Sequence, residues 1–256
     1  MAPVAICAKC GGTGFVIVEG VNVSGAKPCE CRALRRTERL EGRSQIPPLY
    51  QSDSFDNFEI PGPENPTARR DLTTVLLAVK GFVRAFPNVE RPGLLLIGEP
   101  GIGKTHLAVA AAHEIIKKGF GLWFCSYQEL LKNIKDGYDP ISNTSDREAY
   151  RKALDSEVLL IDDLAANKTS DWVQDTINSI ITHRCDHRKP LIATTNAPDA
   201  DAGSERFEKN ALGHTDYRRT LADYIGIRAR SRLFEMCTVV KMPLIVDYRL
   251  QKRKEF

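Results

Sequence analysis

Residues 98–105 read Gly98-Glu99-Pro100-Gly101-Ile102-Gly103-Lys104-Thr105, the Gly-x-x-x-x-Gly-Lys-Thr spacing of a phosphate-binding loop. Each residue type has a chemical reason to be there. Gly101 and Gly103 permit turns in which successive backbone N–H groups face an anion, at the N-terminus of a helix already suited to negative charge. The Lys104 ammonium would reach the β- and γ-phosphates of a nucleoside triphosphate, and the Thr105 hydroxyl would ligate Mg²⁺. The context matches as well: the apolar run Leu94-Leu95-Leu96-Ile97 reads as a buried strand, and 105–112 opens a helix. ATP with Mg²⁺ is the expected ligand.

The rest of a hydrolytic site follows in order. The run 158–161 leads into Asp162-Asp163. Asp162 would hold Mg²⁺ directly or through water, and Asp163 would orient or deprotonate the attacking water. Many ATPases of this architecture carry glutamate at the second position, so the shorter Asp163 alters reach. Asn196 ends the run Ala193-Thr194-Thr195-Asn196; its amide would hold the nucleophilic water beside the γ-phosphate, or cap the turn before Pro198. The stretch 226–233 concentrates Arg228, Arg230 and Arg232 on one helix, with Arg228 and Arg232 four residues apart on one face. One of them is a candidate for the arginine that a neighbouring subunit contributes to phosphoryl transfer; a surface salt bridge is the alternative.

Four of the seven cysteines fall early, as Cys7-x-x-Cys10 and Cys29-x-Cys31. Between them 15–18 reads as a short strand and 22–27 as a turn, so a hairpin would gather four thiolates. A closed tetrahedral Zn²⁺ site suits that set. An iron–sulfur cluster and a redox Cys-x-x-Cys are the rival readings. So short a segment buries little core, and bound metal would supply its folding energy. Cys125, Cys185 and Cys237 read as buried small hydrophobes.

These groups need a scaffold, and the pattern supplies one. The chain has 256 residues, 42% apolar and 27% charged, with formal net charge +3. That composition is ordinary for a globular protein, and no apolar run approaches the roughly 20 residues of a membrane span. The first residues lack signal-peptide features, so a cytoplasmic protein without membrane contact is expected. Helices are expected near 68–86, 105–118, 128–156, 171–183 and, as a pair, 216–237; strands at 94–97, 122–125, 158–161, 191–195 and 239–242. Apolar strands alternating with helices predict an α/β fold with a parallel five-stranded sheet between helices. Ligands in such folds bind at the carboxyl ends of the strands. Ahead of it, Arg32, Arg35, Arg36, Arg39 and Arg43 lie on a helix that is either a solvated face or a docking or nucleic-acid surface. Proline and aromatic residues mark 44–66 as an arm anchored by Tyr50, Phe55 and Phe58. The organisation read from this is 1–43, a cysteine-rich zinc-binding module with a basic helix; 44–66, a linker arm; and 67–256, an ATPase domain.

The order of motifs resembles the AAA+ ATPases of the DnaC/DnaI helicase-loader and IstB clade. The likeness is carried by Ile46-Pro47-Pro48-x-Tyr50 with Phe55-x-x-Phe58, by Thr105-His106-Leu107 after the loop, by Leu160-Ile161-Asp162-Asp163-Leu164, by Ala193-Thr194-Thr195-Asn196 and by Gly226-x-Arg228-x-x-x-Arg232-Leu233. The resemblance implies that residues 98–106 contact nucleotide, that Asp163 is normal for the clade and that Asn196 is its first sensor. It also makes Arg232 the arginine finger and Arg228 an accessory basic residue. The cysteine head is similar to the zinc-binding, helicase-docking modules of DnaI-type loaders. The implied partners are a replicative hexameric helicase, single-stranded DNA and further copies of the chain in an AAA+ oligomer. Lys132, Lys135, Arg147, Arg151 and Lys152 are candidate DNA contacts, and Lys252-Arg253-Lys254 forms a basic tail. An IstB-type DNA-remodelling ATPase with a transposase partner is the second reading. A nucleotide-gated binding protein with negligible turnover is the third.

Overall fold

The computed structural model describes residues 6–19, 24–136, 146–166, 169–199, 207–209, 215–217 and 219–245. The side chains of Glu19, Ser24, Asp146, Arg147 and the segments 207–209 and 215–217 are not among those described. The basic tail 252–254, the Arg147 side chain and the first part of the expected 22–27 turn lie outside the described residues.

The N-terminal hairpin pairs β1 (Phe15–Glu19) with β2 (Ser24–Pro28) antiparallel. Helix α1 (Glu30–Ser44) follows, then an arm with one 3₁₀ turn at Pro48–Tyr50. Helix α2 (Pro66–Ala85) starts where Asn65 accepts the Ala68 N–H and Pro66 fills the first turn. Strand β3 (Gly93–Ile97) delivers the phosphate loop to α3 (Lys104–Lys117). Next come β4 (Leu122–Ser126), α4 (Tyr127–Asp136), α5 (Asp146–Asp155), β5 (Val158–Leu164), α6 (Asp171–Asp186) and β6 (Leu191–Thr195). A short ribbon, β7 (Phe207–Lys209) with β8 (Thr215–Tyr217), precedes α7 (Leu221–Ile225), α8 (Ile227–Met236) and β9 (Cys237–Lys241).

Five strands form one parallel sheet in the order β4-β5-β6-β3-β9. Alternation along β3 divides its side chains between two cores. Leu95 and Ile97 join the core beneath α4 to α8, while Leu94 and Leu96 join the core beneath α2 and α3. Burial on both faces is why these strands read as unbroken apolar runs. Helix α1 packs on α3 and β4. In the arm, Ile46 is buried in the α2–α3 core, and Tyr50, Phe55 and Phe58 pack against it.

Some expectations shift. Of the turn expected at 22–27, residues 24–27 belong to β2 and pair with β1. The polar helical region expected at 128–156 contains α4 and α5, with 137–145 outside the described residues. The helix pair expected from 216 begins at Leu221, because 215–217 pair with 207–209 as strand. Thr220 and Asp223 form a capping box there, and Gly226, at φ 84°, separates α7 from α8 in a conformation that disfavours a side chain. Cys125 and Cys237 are buried as expected, whereas Cys185 is only half-buried.

The two strands that carry the acidic and amide groups are tied at their opposite ends by one side chain. Arg184 of α6 is fully buried and donates to the carbonyls of Ala153 (2.9 Å), Ser156 (3.1 Å) and Pro190 (2.6 Å). Burial lowers its pKa to about 10, which still leaves it charged at neutral pH. Arg184→Ala would orphan several buried carbonyls at once. We expect a loss of about 3–5 kcal/mol, read as a lower denaturation midpoint, with Arg184→Lys recovering part of it.

Candidate functional site

Sheet order explains how residues distant in sequence converge. Strand β6 lies between β3 and β5, so Asn196, just beyond β6, stands between the phosphate loop and the aspartates. The loop itself is tightly built. Gly101 and Gly103 adopt φ 75° and 88°. A Cβ on Gly98 would lie 2.6 Å from Ile102 Cδ1, and one on Gly103 would lie 2.7 Å from Phe58 Cε2. Ile102 is buried beneath the loop, whereas Pro100 is exposed at its tip. Lys104 is 5% exposed, and its Nζ donates to the Glu99 carbonyl at 2.7 Å, across the mouth of the loop.

Asp162 is buried and accepts hydrogen bonds from the hydroxyls of Thr105 (2.9 Å) and Thr194 (2.7 Å) on the same carboxylate oxygen. Burial pushes its carboxyl above the usual range, and the two hydroxyl donors oppose that shift. The pair Thr105–Asp162 is the ligand set a hard, six-coordinate Mg²⁺ takes, with waters and phosphate oxygens filling the remaining positions.

A bulge separates the two aspartates. The β5–β6 register shifts between Ile161 and Leu164, and Asp163 takes φ 53°. That kink turns Asp163 outward while Asp162 stays in the ladder. The Asp163 N–H donates to Thr194 Oγ1 at 2.9 Å, so one threonine fixes both acidic residues. Asn196 Nδ2 donates to Asp163 Oδ1 at 3.2 Å, and Asn196 Oδ1 is buried with no hydrogen-bond partner among the described residues. An orphaned acceptor beside an exposed carboxylate suits a water molecule between them. The donor set, the N–H-lined loop and this orphan all fit a bound nucleotide and its metal.

Other expected residues fall elsewhere. His106 faces the arm: its Nε2 lies 2.8 Å from the Ser54 carbonyl oxygen, its Nδ1 3.7 Å from Asp53 Oδ1, and its ring meets Phe58 edge-on. Arg228 is exposed on α8. Arg232, with its side chain 43% exposed, donates to Glu235 at 3.0 Å and lies 3.8 Å from Asp186. Both arginines share the outer side of α8. Lys152, a candidate DNA contact, is occupied: it donates to Gln45 Oε1 at 2.9 Å and stands over the Trp123 ring at 4.5 Å.

Arg230, the middle arginine of the 226–233 stretch, has a structural partner that the sequence did not announce. Its guanidinium grips buried Asp199 through two parallel bonds of 2.7 and 2.9 Å, tying α8 to the segment after β6. Thr194 was passed over. Two buried threonines closing an otherwise apolar strand were the available signal for it; the Arg230–Asp199 pair, 31 residues apart, had none.

At the hairpin, Cys7, Cys10, Cys29 and Cys31 place their sulfurs within 4.8 Å of one another. Sγ–Sγ distances are 3.4 Å for Cys10–Cys31 and 3.9 Å for Cys7–Cys29, and none is in a disulfide. Zn–S bonds of about 2.3 Å put the sulfurs of a tetrahedral set about 3.8 Å apart. Positive φ at Gly11, Gly12 and Gly14 bends the chain around the cluster, and the Gly14 N–H donates to Cys10 Sγ at 3.3 Å. The residues fit a single four-thiolate ion.

Comparison with known proteins places this geometry. The chain is 28% identical over 178 residues to the replicative helicase loader DnaC of Buchnera aphidicola (subsp. Schizaphis graminum), a match spanning 70% of this chain and 67% of that relative. It is 27% identical to a DnaC helicase loader solved by crystallography, with a TM-score of 0.60 over 77% of this chain and all of the other. The crystal structure of DnaI, 18% identical, shares the fold with a TM-score of 0.57 over 81% of this chain and 98% of that one. The fold is AAA+, and the model of the IstB-like ATP binding proteins matches residues 29–215. The chain belongs to the family of IstB-like ATP binding proteins.

Proposed function

We propose that this chain is an ATP-hydrolysing loader that delivers a replicative hexameric helicase onto single-stranded DNA. The observation that carries the reading is the likeness to DnaC, which spans the whole of the solved helicase loader at 27% identity. The cysteine head ahead of the ATPase body, with its own metal-fitting geometry, supports a cargo-gripping module.

Bound ATP and Mg²⁺ would supply the labile phosphoanhydride and its charge neutralisation. The chain's own groups then have distinct tasks. Residues 98–103 would face the phosphates with backbone N–H groups, Lys104 would bind the γ-phosphate in place of the Glu99 carbonyl, and Thr105 with Asp162 would hold the metal. Asp163 and Asn196 would position the attacking water, with the Asn196 carbonyl oxygen accepting a hydrogen bond from it and the Asp163 carboxylate taking its proton. Arg232, solvent-facing on α8, reaches the nucleotide of the next subunit in an AAA+ oligomer, and Arg228 supports that contact. Lys132, Lys135 and Arg151 contact single-stranded DNA. The organisation proposed is a zinc module and basic helix at 1–43, an arm at 44–66 and the ATPase domain at 67–256.

Co-purification tests this reading. The chain should retain a replicative hexameric helicase, and should release it when ATP is hydrolysed; failure to bind a replicative helicase in any nucleotide state would refute the loader reading. An IstB-type DNA-remodelling ATPase is the second reading, favoured by the family model; it predicts capture of a transposase instead.

The head makes a separate prediction. Cys29 caps α1 and is 4% exposed. Cys29→Ser should lose bound zinc in elemental analysis and lose helicase retention, while ATP affinity stays within about twofold, because folding of the head and of the ATPase body is coupled to different ligands. Full-strength zinc binding by the variant would contradict the four-thiolate site.

A further inference from the structure

Helix α1 carries five arginines and three glutamates, and the fold separates them. At about 100° per residue, Arg32, Arg35, Arg36, Arg39 and Arg43 fall within one arc of roughly 100°. Glu30 and Glu41 lie on the opposite side, and Glu38 flanks the arc beside Arg35. Leu40 and Ser44, between the two sets, turn into the ATPase body, with Ser44 1% exposed. Contacts fix this orientation. Arg36 donates to the Gly119 carbonyl at 2.8 Å, and Arg32 stands 4.7 Å over the Phe15 ring. At the far end Gln45 accepts from Trp123 Nε1 at 2.5 Å and from Lys152. The helix is thereby held as a rigid rod against α3 and β4.

The acidic residues do not neutralise the stripe. Glu30 pairs with Lys9 at 2.7 Å, and Glu41 lies 4.0 Å from His113 of α3. Arg35, Arg39 and Arg43 have no ion pair or hydrogen bond with any described residue. A merely solvated helix face gains stability by interleaving opposite charges four residues apart. Here the residues four apart are arginine, arginine and arginine.

We propose that this face of α1 binds the phosphodiester backbone of duplex DNA. The guanidinium forks match phosphate oxygens, and the stripe runs about 16 Å along the helix. Duplex DNA offers a phosphate about every 1.7 Å of its axis to such a rod. Single-strand binding relies on aromatic platforms for the bases, and the stripe has none; Phe15 is already covered by Arg32. Contact is to phosphates alone, so binding is independent of sequence. The stripe uses residues other than Lys132, Lys135 and Arg151, and the seating of α1 on α3 and β4 fixes a bound duplex relative to the nucleotide domain.

The test uses the full chain carrying Arg35→Gln, Arg39→Gln and Arg43→Gln together, with fluorescence anisotropy on a mixed-sequence duplex and on an oligo-dT strand of equal length. Glutamine keeps helix propensity, and unchanged ATP affinity reports an intact fold. Duplex affinity should fall at least about tenfold, and the slope of log K against log salt should shrink by roughly 3. Oligo-dT binding should change less. Wild-type duplex affinity and slope in the triple variant would overturn the proposal, as would a loss confined to oligo-dT. A loss seen only with Lys132→Gln/Lys135→Gln would also overturn it, while leaving the loader reading intact.

Discussion

Lys104→Ala is expected to abolish measurable ATP binding, weakening it at least about a hundredfold. The ammonium is the one cation lodged within the loop, 5% exposed and directed across its mouth. A charged hydrogen bond to phosphate contributes about 1.5–3 kcal/mol, and Lys104 would make more than one such contact. Truncation also leaves the triphosphate's charge balanced by Mg²⁺ and backbone dipoles alone. Calorimetric titration of ATP into the variant measures the effect. The fold should survive, since Lys104 belongs to neither apolar core. Unchanged affinity would remove the basis for treating 98–105 as a nucleotide site.

Arg232→Ala is expected to lower the turnover rate about 10³-fold while each monomer still binds ATP. An arginine supplied in trans to phosphoryl transfer is worth roughly 10³–10⁵ in kcat. Arg232 suits the task because its bonds to Glu235 and Asp186 are solvent-exposed and exchangeable. Arg230, two residues away, is already committed to buried Asp199 and anchors the helix that presents Arg232. Mixing provides a sharper arm. Lys104→Ala and Arg232→Ala subunits, each inactive alone, should regain turnover together, because some interfaces then pair an intact loop with an intact arginine. Wild-type turnover by Arg232→Ala alone would rule out the assignment.

The chemistry of the loop was legible in the sequence because its requirements are local. Glycines at fixed offsets, a lysine and a threonine follow one buried strand, and each parallel strand announces itself as an apolar run. The aspartates were legible for the same reason, since β5 points straight at them. What the sequence concealed is how these parts are held in register. Thr194 holds Asp162 through its hydroxyl and Asp163 through that residue's N–H, and only the insertion of β6 between β3 and β5 brings it there. The bulge that separates a buried Asp162 from an outward Asp163 leaves no mark in an Asp-Asp dipeptide. His106 looked like part of the nucleotide site, because adjacency in sequence suggested it. On α3 its ring instead faces the arm, where Ser54 and Phe58 receive it. The basic helix was readable as a helix, but separation of its arginines from its glutamates became meaningful only once Leu40 and Ser44 showed which side is buried. Periodicity reports burial; it does not report which distant partner answers a polar group.

The most direct measurement of the central claim is helicase transfer onto closed-circular single-stranded DNA, followed by separation of DNA-bound from free helicase. The helicase should be retained on the circle when the wild-type chain and ATP are both present, and should remain free with the Lys104→Ala variant. Equal retention without the chain, or with the variant in its place, would contradict an ATP-driven loader.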